Sequence, residues 1–289
     1  MIKSMTGFGK GEVRLAGKVI TIEVKSLNSK QSDIFMKMPS SYKSKEIDLR
    51  NIISQSLNRG KIDFLLSVES TENNLVKINK ELALSYFNQI KELEPSVGDK
   101  MSEEMLSLIL RMPEVIGSTG KEELDENEWE AIKKATNEAL KNLDNFRNTE
   151  GKVLENDLFS HIKNIETYLT QLDPLDKIRI AKIREKQEKA IAELKEVTVD
   201  KNRFEQELIY YFEKVDISEE KVRLKSHLDY FVVTAKEENP GKKLGFIAQE
   251  IGREINTIGS KSNDADMQQM VVQMKDELEK IKEQSLNVL

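Results

Sequence analysis

The chain has no cysteine, which excludes disulfides, thiolate nucleophiles and Cys-ligated zinc. It is also sparing with other specialised side chains, holding one tryptophan, two histidines and five prolines among 289 residues. No run of about 18 uninterrupted apolar residues occurs, so no membrane-spanning helix is expected. The N-terminal MIKSMTGFGKGEV has neither the apolar stretch of a secretory signal nor a small-residue cleavage site. The glycines of GFGKG at 7–11 lack the spacing of either nucleotide-binding fingerprint. There is no internal repeat and no low-complexity linker. Together these absences lead us to expect a soluble, cytoplasmic protein with no membrane partner.

What the chain has in quantity is charge, 33% of its residues, for a net of −6. The sign is unevenly spread. Residues 1–61 hold twelve Lys and Arg against five Asp and Glu, a net of +7, which leaves −13 for the remainder. Attraction to phosphate is local at physiological salt, so an acidic protein with a basic segment can still hold a polyanion. Elsewhere the abundance of Ala, Leu, Ile, Glu and Lys favours long helices.

The fold class is read as α+β. A basic αβ domain with antiparallel strands is expected over 1–125, followed by a larger, mostly helical domain over 126–289 with a long helical hairpin. Ile2–Leu15 and Lys18–Leu27 pair around the tight turn Ala16-Gly17-Lys18, where VITIEVK alternates branched and polar residues. Asp33–Met38 is a third strand, stopped by Pro39. Ser40 or Ser41 caps a helix to about Leu57, with Ile47, Ile52 and Ile53 inward. Arg59-Gly60-Lys61 is a basic turn into a strand over Ile62–Glu69, and helices come next at Lys80–Leu93 and Ser102–Arg111.

Beyond residue 127 the pattern is helical. Glu128–Leu172 is one long helix with Leu140, Leu143, Val153, Leu154, Leu158, Ile162, Ile165 and Leu169 on its inward seam. Asp173-Pro174 breaks it, and Leu175–Val197 runs back as a solvated arm. Helices at Lys201–Lys214, Ser218–Lys236, 242–258 and Ala265–Ser285 complete the chain. The last carries Met267, Met270 and Met274 at helical spacing, the mark of a core or subunit interface.

Two helical segments carry the chemistry. In 241–261, GKKLGFIAQEIGREINTIGSK, the residues Leu244, Ile247, Ile251, Ile255 and Ile258 form an apolar stripe. Glu250, Arg253, Glu254, Thr257 and Lys261 form a charged one beside it. Carboxylates one turn apart can share a divalent cation, and a guanidinium can hold a phosphate. The same spacing also suits intrahelical ion pairs on a solvated face. Gln249 and Asn256 on that side favour a site, since a merely solubilising face would repeat Lys and Glu. In 215–228, Ser218 caps a helix whose Glu220, Arg223 and His227 share a face. Imidazole is the side chain suited to proton transfer at neutral pH, which makes His227 the candidate, whereas His161 lies among Asn, Lys and Glu and reads as surface. The short NPGKK connection favours packing of the two helices, bringing His227, Glu220, Glu250, Arg253 and Glu254 to one cleft.

The segments SMTGFG (4–9), EVKSLNSK (23–30), RGK (59–61), FRNTEGKVL (146–154), DISEEKVRLKSHL (216–228), GKKLGFIAQEIGREINTIGSKS (241–262) and VVQMKDELEKIKEQSLNV (271–288) resemble the YicC/YloC family of bacterial endoribonucleases. The resemblance spans nearly the whole chain. Lys30 and Lys225 depart from it where Arg is common, as do Gly245 and Gly252 where larger polar residues stand. It implies metal-dependent cleavage of single-stranded or structured RNA by a homo-oligomer, a hexameric ring. On that reading Glu250 and Glu254 hold a divalent cation, Mg or Mn, with Glu220 or Asp216 as a further ligand. His227 is the general acid or base, and Arg253 and Lys261 steady the phosphorane charge. Lys3, Asn28, Arg59, Lys61, Arg147 and Lys243 are the RNA-positioning candidates. The alternatives are a non-catalytic RNA-binding oligomer that presents RNA to another nuclease, and a helical scaffold assembled through its Met-rich last helix.

Overall fold

The computed structural model describes residues 2–29, 31–57, 59–70, 78–93, 103–113, 115–116, 125–193 and 200–289. The fold is α+β. Strands β1 (Gly7–Leu15), β2 (Lys18–Leu27), β3 (Asp33–Lys37) and β4 (Lys61–Ser70) form one sheet in the order β1-β2-β4-β3. Leu15 faces Lys18, so Ala16-Gly17 is a two-residue turn, and Gly17 takes a φ of 78° that a β-branched residue resists. β2 is antiparallel to both β1 and β4. The expectation of antiparallel strands fails at β3, which pairs parallel to β4. The reason is the helical crossover between them, a 3₁₀ turn at Ser40–Lys45 and then α1 (Glu46–Ser56), which returns the chain to the same end of the sheet. That 3₁₀ turn replaces the helix start expected at Ser40 and shifts the phase of α1. Leu49 and Ile53 face the sheet, and Ile47 is exposed, contrary to its expected inward position.

Alternate residues of the central strands, Ile20, Ile22 and Val24 with Ile62, Phe64 and Leu66, pack on α1 and on the first part of α4 (Glu126–Ala192). Helix α4 lies almost flush on β1. A Cβ on Gly9 would stand 1.9 Å from the Ala139 carbonyl oxygen, and one on Gly11 would stand 2.1 Å from that of Ala135. The GFGKG glycines therefore serve close helix-on-strand packing.

Helices α2 (Lys80–Leu93) and α3 (Glu103–Leu110) come after β4, at almost their expected bounds, although Ser102 itself lies outside the described residues. The expected break at Asp173-Pro174 is absent, for α4 runs 67 residues through Pro174, about 100 Å at 1.5 Å per residue. Proline costs a helix one hydrogen bond and a ring clash, but tertiary contacts on both sides outweigh that here. Leu172 is fully buried, and one turn beyond the proline the buried Arg179 donates to Asp176 (2.6 Å), to the Val215 carbonyl (2.9 Å) and to the Lys261 carbonyl (2.7 Å). The hairpin's second arm is α5 (Lys201–Val215), where Glu205 accepts from Arg184 at 3.0 Å. The expected end of a returning helix at Val197 lies outside the described residues.

A second core joins Leu158, Ile162, Ile165 and Leu172 of α4 to α6 (Ser218–Thr234), α7 (Gly241–Lys261) and α8 (Ala265–Ser285). Val153, expected on the inward seam, is instead exposed. Met267 and Met274 are core residues. Gly252 brings α7 against α8, since a Cβ there would meet Leu278 at 3.1 Å; Gly245 has open space around it. Among the described residues no helix is long and apolar enough to cross a membrane.

His161 is not a surface residue, as expected from its neighbours, but ties α4 to α8. Its Nδ1 lies 2.6 Å from Glu277 Oε2, and Asn164 donates to the same oxygen at 2.9 Å. Burial opposes ionisation of Glu277, yet hydrogen bonds from Asn164, His161 and Lys280 prevail and hold it at about 2, below the ordinary 4.5. A folded value below the unfolded one adds stability that is present above about 4.5 and lost as pH falls toward 2. Glu277→Gln should therefore flatten the acid limb of stability against pH, measured by denaturant titration; a limb parallel to that of the parent would refute this. By the same assay, Gly9→Val should cost about 1–3 kcal/mol through overpacking against α4.

Candidate functional site

Helices α6 and α7 are joined by the short segment 235–240 and lie side by side, and their contacts fix which residues share a face. Near one end the Lys261 ammonium donates to Glu220 Oε1 at 2.7 Å. Near the other, the Lys243 ammonium sits 5.0 Å over the Tyr230 ring. His227 lies two turns from Glu220, and Glu254 two turns from Lys261, so these two residues stand across the seam between the fixed ends, with Glu250 one turn on. Of the predicted set, the structure joins Glu220 to Lys261 across the two helices and Glu250 to Arg253 along α7, and helical spacing sets His227 and Glu254 on the same side.

The states of the individual groups differ. Glu250 accepts twice from Arg253, at 2.7 and 3.0 Å, on an exposed part of the face. The ion-pair use of that spacing is therefore realised, and it occupies both oxygens of Glu250. Arg223 is paired with Glu219, on its own helix. His227 and Glu254 are half-buried, and neither makes a hydrogen bond among the described residues. They are the groups of the face left free to act.

Glu220 belongs to a structural node. It is buried, Oε1 is held by Lys261, and Oε2 is buried with no hydrogen-bond partner. Lys261 also donates to the Asp216 carbonyl at 2.9 Å, and its own carbonyl accepts from Arg179. Asp216 accepts from the Ser218 hydroxyl (2.7 Å) and backbone N–H (3.1 Å). The Ser218 hydrogen bond holds the Asp216 carboxyl below its ordinary range. Ser218, expected to cap α6, is instead its first helical residue; Ile217 is at the cap position, and the Asp216 carboxylate before it accepts the first helical N–H. Among the described residues no three His, Asp or Glu side chains are grouped to hold a metal in common. The spacing of Arg179 announces only its pair with Asp176, three residues before it, because its other partners, the Val215 and Lys261 carbonyls, are distant in sequence.

Most of the RNA-positioning candidates meet at the junction of the chain ends. The N-terminal segment hydrogen-bonds the C-terminal one, Met5 N–H to the Asn287 carbonyl at 2.8 Å and Leu289 N–H to that of Lys3 at 2.9 Å. Lys3 pairs with Asp144 (2.8 Å), Lys243 with Glu237 (2.9 Å), Asn28 donates to the Leu286 carbonyl (2.7 Å), and Arg59 to that of Ser29 (3.2 Å). Arg147 requires a correction. It is 2% exposed, it donates to Ser26 and to the Met5 carbonyl, and burial lowers its pKa. A group so enclosed fastens the N-terminal segment and does not face a polymer. Gly60, at φ 115°, lies beside it, where a Cβ would stand 3.0 Å from the Leu27 carbonyl oxygen. Lys61 points away from this junction, onto the open face of the sheet.

Residues 2–156 match the sequence family described as Endoribonuclease YicC-like, N-terminal region. Residues 172–289 match the one described as Endoribonuclease YicC-like, C-terminal. The chain is 32% identical over 293 residues to a protein of Clostridioides difficile (strain 630) named Probable endoribonuclease YicC, with the whole of both chains covered. It is 29% identical over 297 residues, again with both chains covered throughout, to a Haemophilus influenzae protein of the same name.

Removing the Lys261 ammonium leaves a buried carboxylate without its cation. Lys261→Met should lower stability by about 1–3 kcal/mol, and Glu220→Gln in that background should recover part of it. Equal thermal denaturation of Lys261→Met and the parent would show that the node contributes nothing.

Proposed function

Because the chain belongs to the YicC-like endoribonuclease family, we propose that it cleaves RNA phosphodiester bonds on the α6/α7 face. The observation that carries this reading is that His227 on α6 and Glu254 on α7 are both half-buried and free of hydrogen bonds among the described residues, with the Arg253 guanidinium next to Glu254 in the helix. An imidazole with no partner is available to take a proton from an attacking hydroxyl or water, or to give one to the leaving oxygen. Arg253 is held by Glu250 with most of its surface in solvent, so its outer donors can meet a phosphate oxygen. Lys261, tied to Glu220 and Asp216, positions the end of the row and is not a charge free to move with the substrate.

A divalent ion fits this face in a restricted form. Glu220 is committed to Lys261, which removes it from the donor set, and a cage of three protein ligands is not built among the described residues. Glu254, with Glu250 if Arg253 releases it, would hold a hydrated magnesium or manganese ion completed by phosphate oxygens, the usual manner of magnesium. Bound there, the ion would supply charge stabilisation at the phosphate and a more acidic water. We read the working form as a homo-oligomer, supported by Ile178, Ile209 and Tyr210 on α4 and α5, each at least half exposed.

Glu254→Gln and His227→Gln should each lower cleavage of labelled single-stranded RNA by about 10²–10⁴-fold while leaving RNA binding near that of the parent. Retained cleavage in both variants would remove the α6/α7 face from the chemistry. Cleavage undiminished in chelator, with cyclic phosphate ends, would assign the reaction to His227 and the ribose 2′-hydroxyl. Binding without any cleavage by the parent would favour a protein that presents RNA to another nuclease.

A further inference from the structure

The outer face of the sheet is absorbed by neither core nor by the α6/α7 face. Its register aligns one row across all four strands: Phe8 faces Lys25, Lys25 faces Asp63, and Asp63 faces Phe35. Phe8 and Phe35 are 39% and 60% exposed, on the edge strands at opposite ends of the row. With strands about 4.8 Å apart, the two rings stand roughly 14 Å from each other. The Lys25 ammonium lies 5.7 Å over the Phe8 ring. A groove of about 550 Å³ runs beside Phe35, lined among others by Lys25, Lys37, Lys61 and Asp63. Among the described residues, Lys37 and Lys61 take part in no ion pair.

We propose that this face binds single-stranded RNA, with unpaired bases stacked on Phe35 and Phe8 and phosphates placed by Lys61 and Lys37. This rests on the RNA reading above and deepens it by naming the form of RNA. Exposed aromatic rings on an open sheet offer stacking to bases that a duplex keeps buried. Lys37 and Lys61 flank the groove as uncommitted cations, the complement of a phosphate backbone. Asp63, between the rings, can accept hydrogen bonds from base amines. A sheet face built only for solubility would not place two phenylalanines at the ends of one row.

The test uses the full chain, in chelator, with a labelled unstructured RNA and with the same RNA annealed to its complement. Binding is read by fluorescence anisotropy over a salt series. Phe35→Ala should weaken single-stranded binding on the order of tenfold or more and leave duplex binding unchanged, and Phe35→Trp should keep the parent's affinity. Lys61→Ala should flatten the salt dependence by about one unit of slope. The platform is overturned if Phe35→Ala binds as the parent does, or if sedimentation shows that Phe35→Ala splits an oligomer, since the face then belongs to a second copy. Single-stranded binding that responds to these variants, in a protein that never cleaves, would leave the platform standing and remove the nuclease reading. A parent that binds no RNA would sink both.

Discussion

Helix α4 enters both apolar cores, and what keeps it in the second is the Arg179 clamp beyond Pro174. Its residues from Trp129 to Leu143 lie under the sheet, and those from Leu158 to Leu172 lie against α6, α7 and α8. A break at the proline would have left Leu172 at a frayed end and Arg179 without its carbonyls. Burying a guanidinium is tolerable only when its donors are used, and Arg179 uses them on α4 itself and on the ends of α5 and α7. The clamp therefore sets more than the helix. It fixes where α7 ends, and through Lys261 where Glu220 and the start of α6 must lie. The row of His227 and Glu254 is positioned by a contact two turns away that shares none of its chemistry.

The chain ends complete the arrangement from the other side. The tail at 286–289 hydrogen-bonds the N-terminal segment and, through the Leu289 carbonyl, Gly241 at the start of α7. Gly241 is required there, since a Cβ would stand 2.2 Å from the Val288 carbonyl oxygen. Both ends of α7 are thus anchored to distant parts of the chain. The cost is polar side chains committed to structure. Asn28, Arg59 and Arg147 spend donors on backbone or buried hydroxyl oxygens at the junction.

Local pattern made much of this readable. The helices Lys80–Leu93 and Ala265–Ser285 and the strand Lys18–Leu27 have the bounds their periodicity and flanking residues predict. The shared face of α6 and α7 was legible for the same reason, because three- and four-residue steps fix a helical face wherever the helix packs. What was not legible depends on contacts distant in sequence. Pro174 is a breaker by propensity and is overruled by burial on both sides. Ile47 looked inward until a 3₁₀ turn changed the phase of α1. His161 sits among polar neighbours in sequence, and only α8 brings Glu277 to it. Arg147 carried the right charge for RNA, but nothing local shows that Met5 and Ser26 enclose it.

The basic excess of the first 61 residues needs the same correction. Lys18 lies 2.7 Å from Glu128 and Lys3 pairs with Asp144, both acids of α4. Arg50 is taken by Glu46. Two of the segment's twelve cations are thus answered by acids of α4, and Arg50 by an acid of the segment itself, so net charge counted along the sequence overstates the field at the surface. On the open sheet face Lys10, Lys25 and Arg14 also have acidic neighbours on their own strands, at up to 3.8 Å. With few uncommitted cations, counterion release is a limited source of affinity there. If single-stranded RNA lies on that face, most of its binding energy must come from the rings. The protein would then distinguish unpaired from paired RNA more sharply than it attracts polyanions in general, a useful bias where the exposed guanidinium groups of α6 and α7, Arg223 and Arg253, are each already paired with a glutamate.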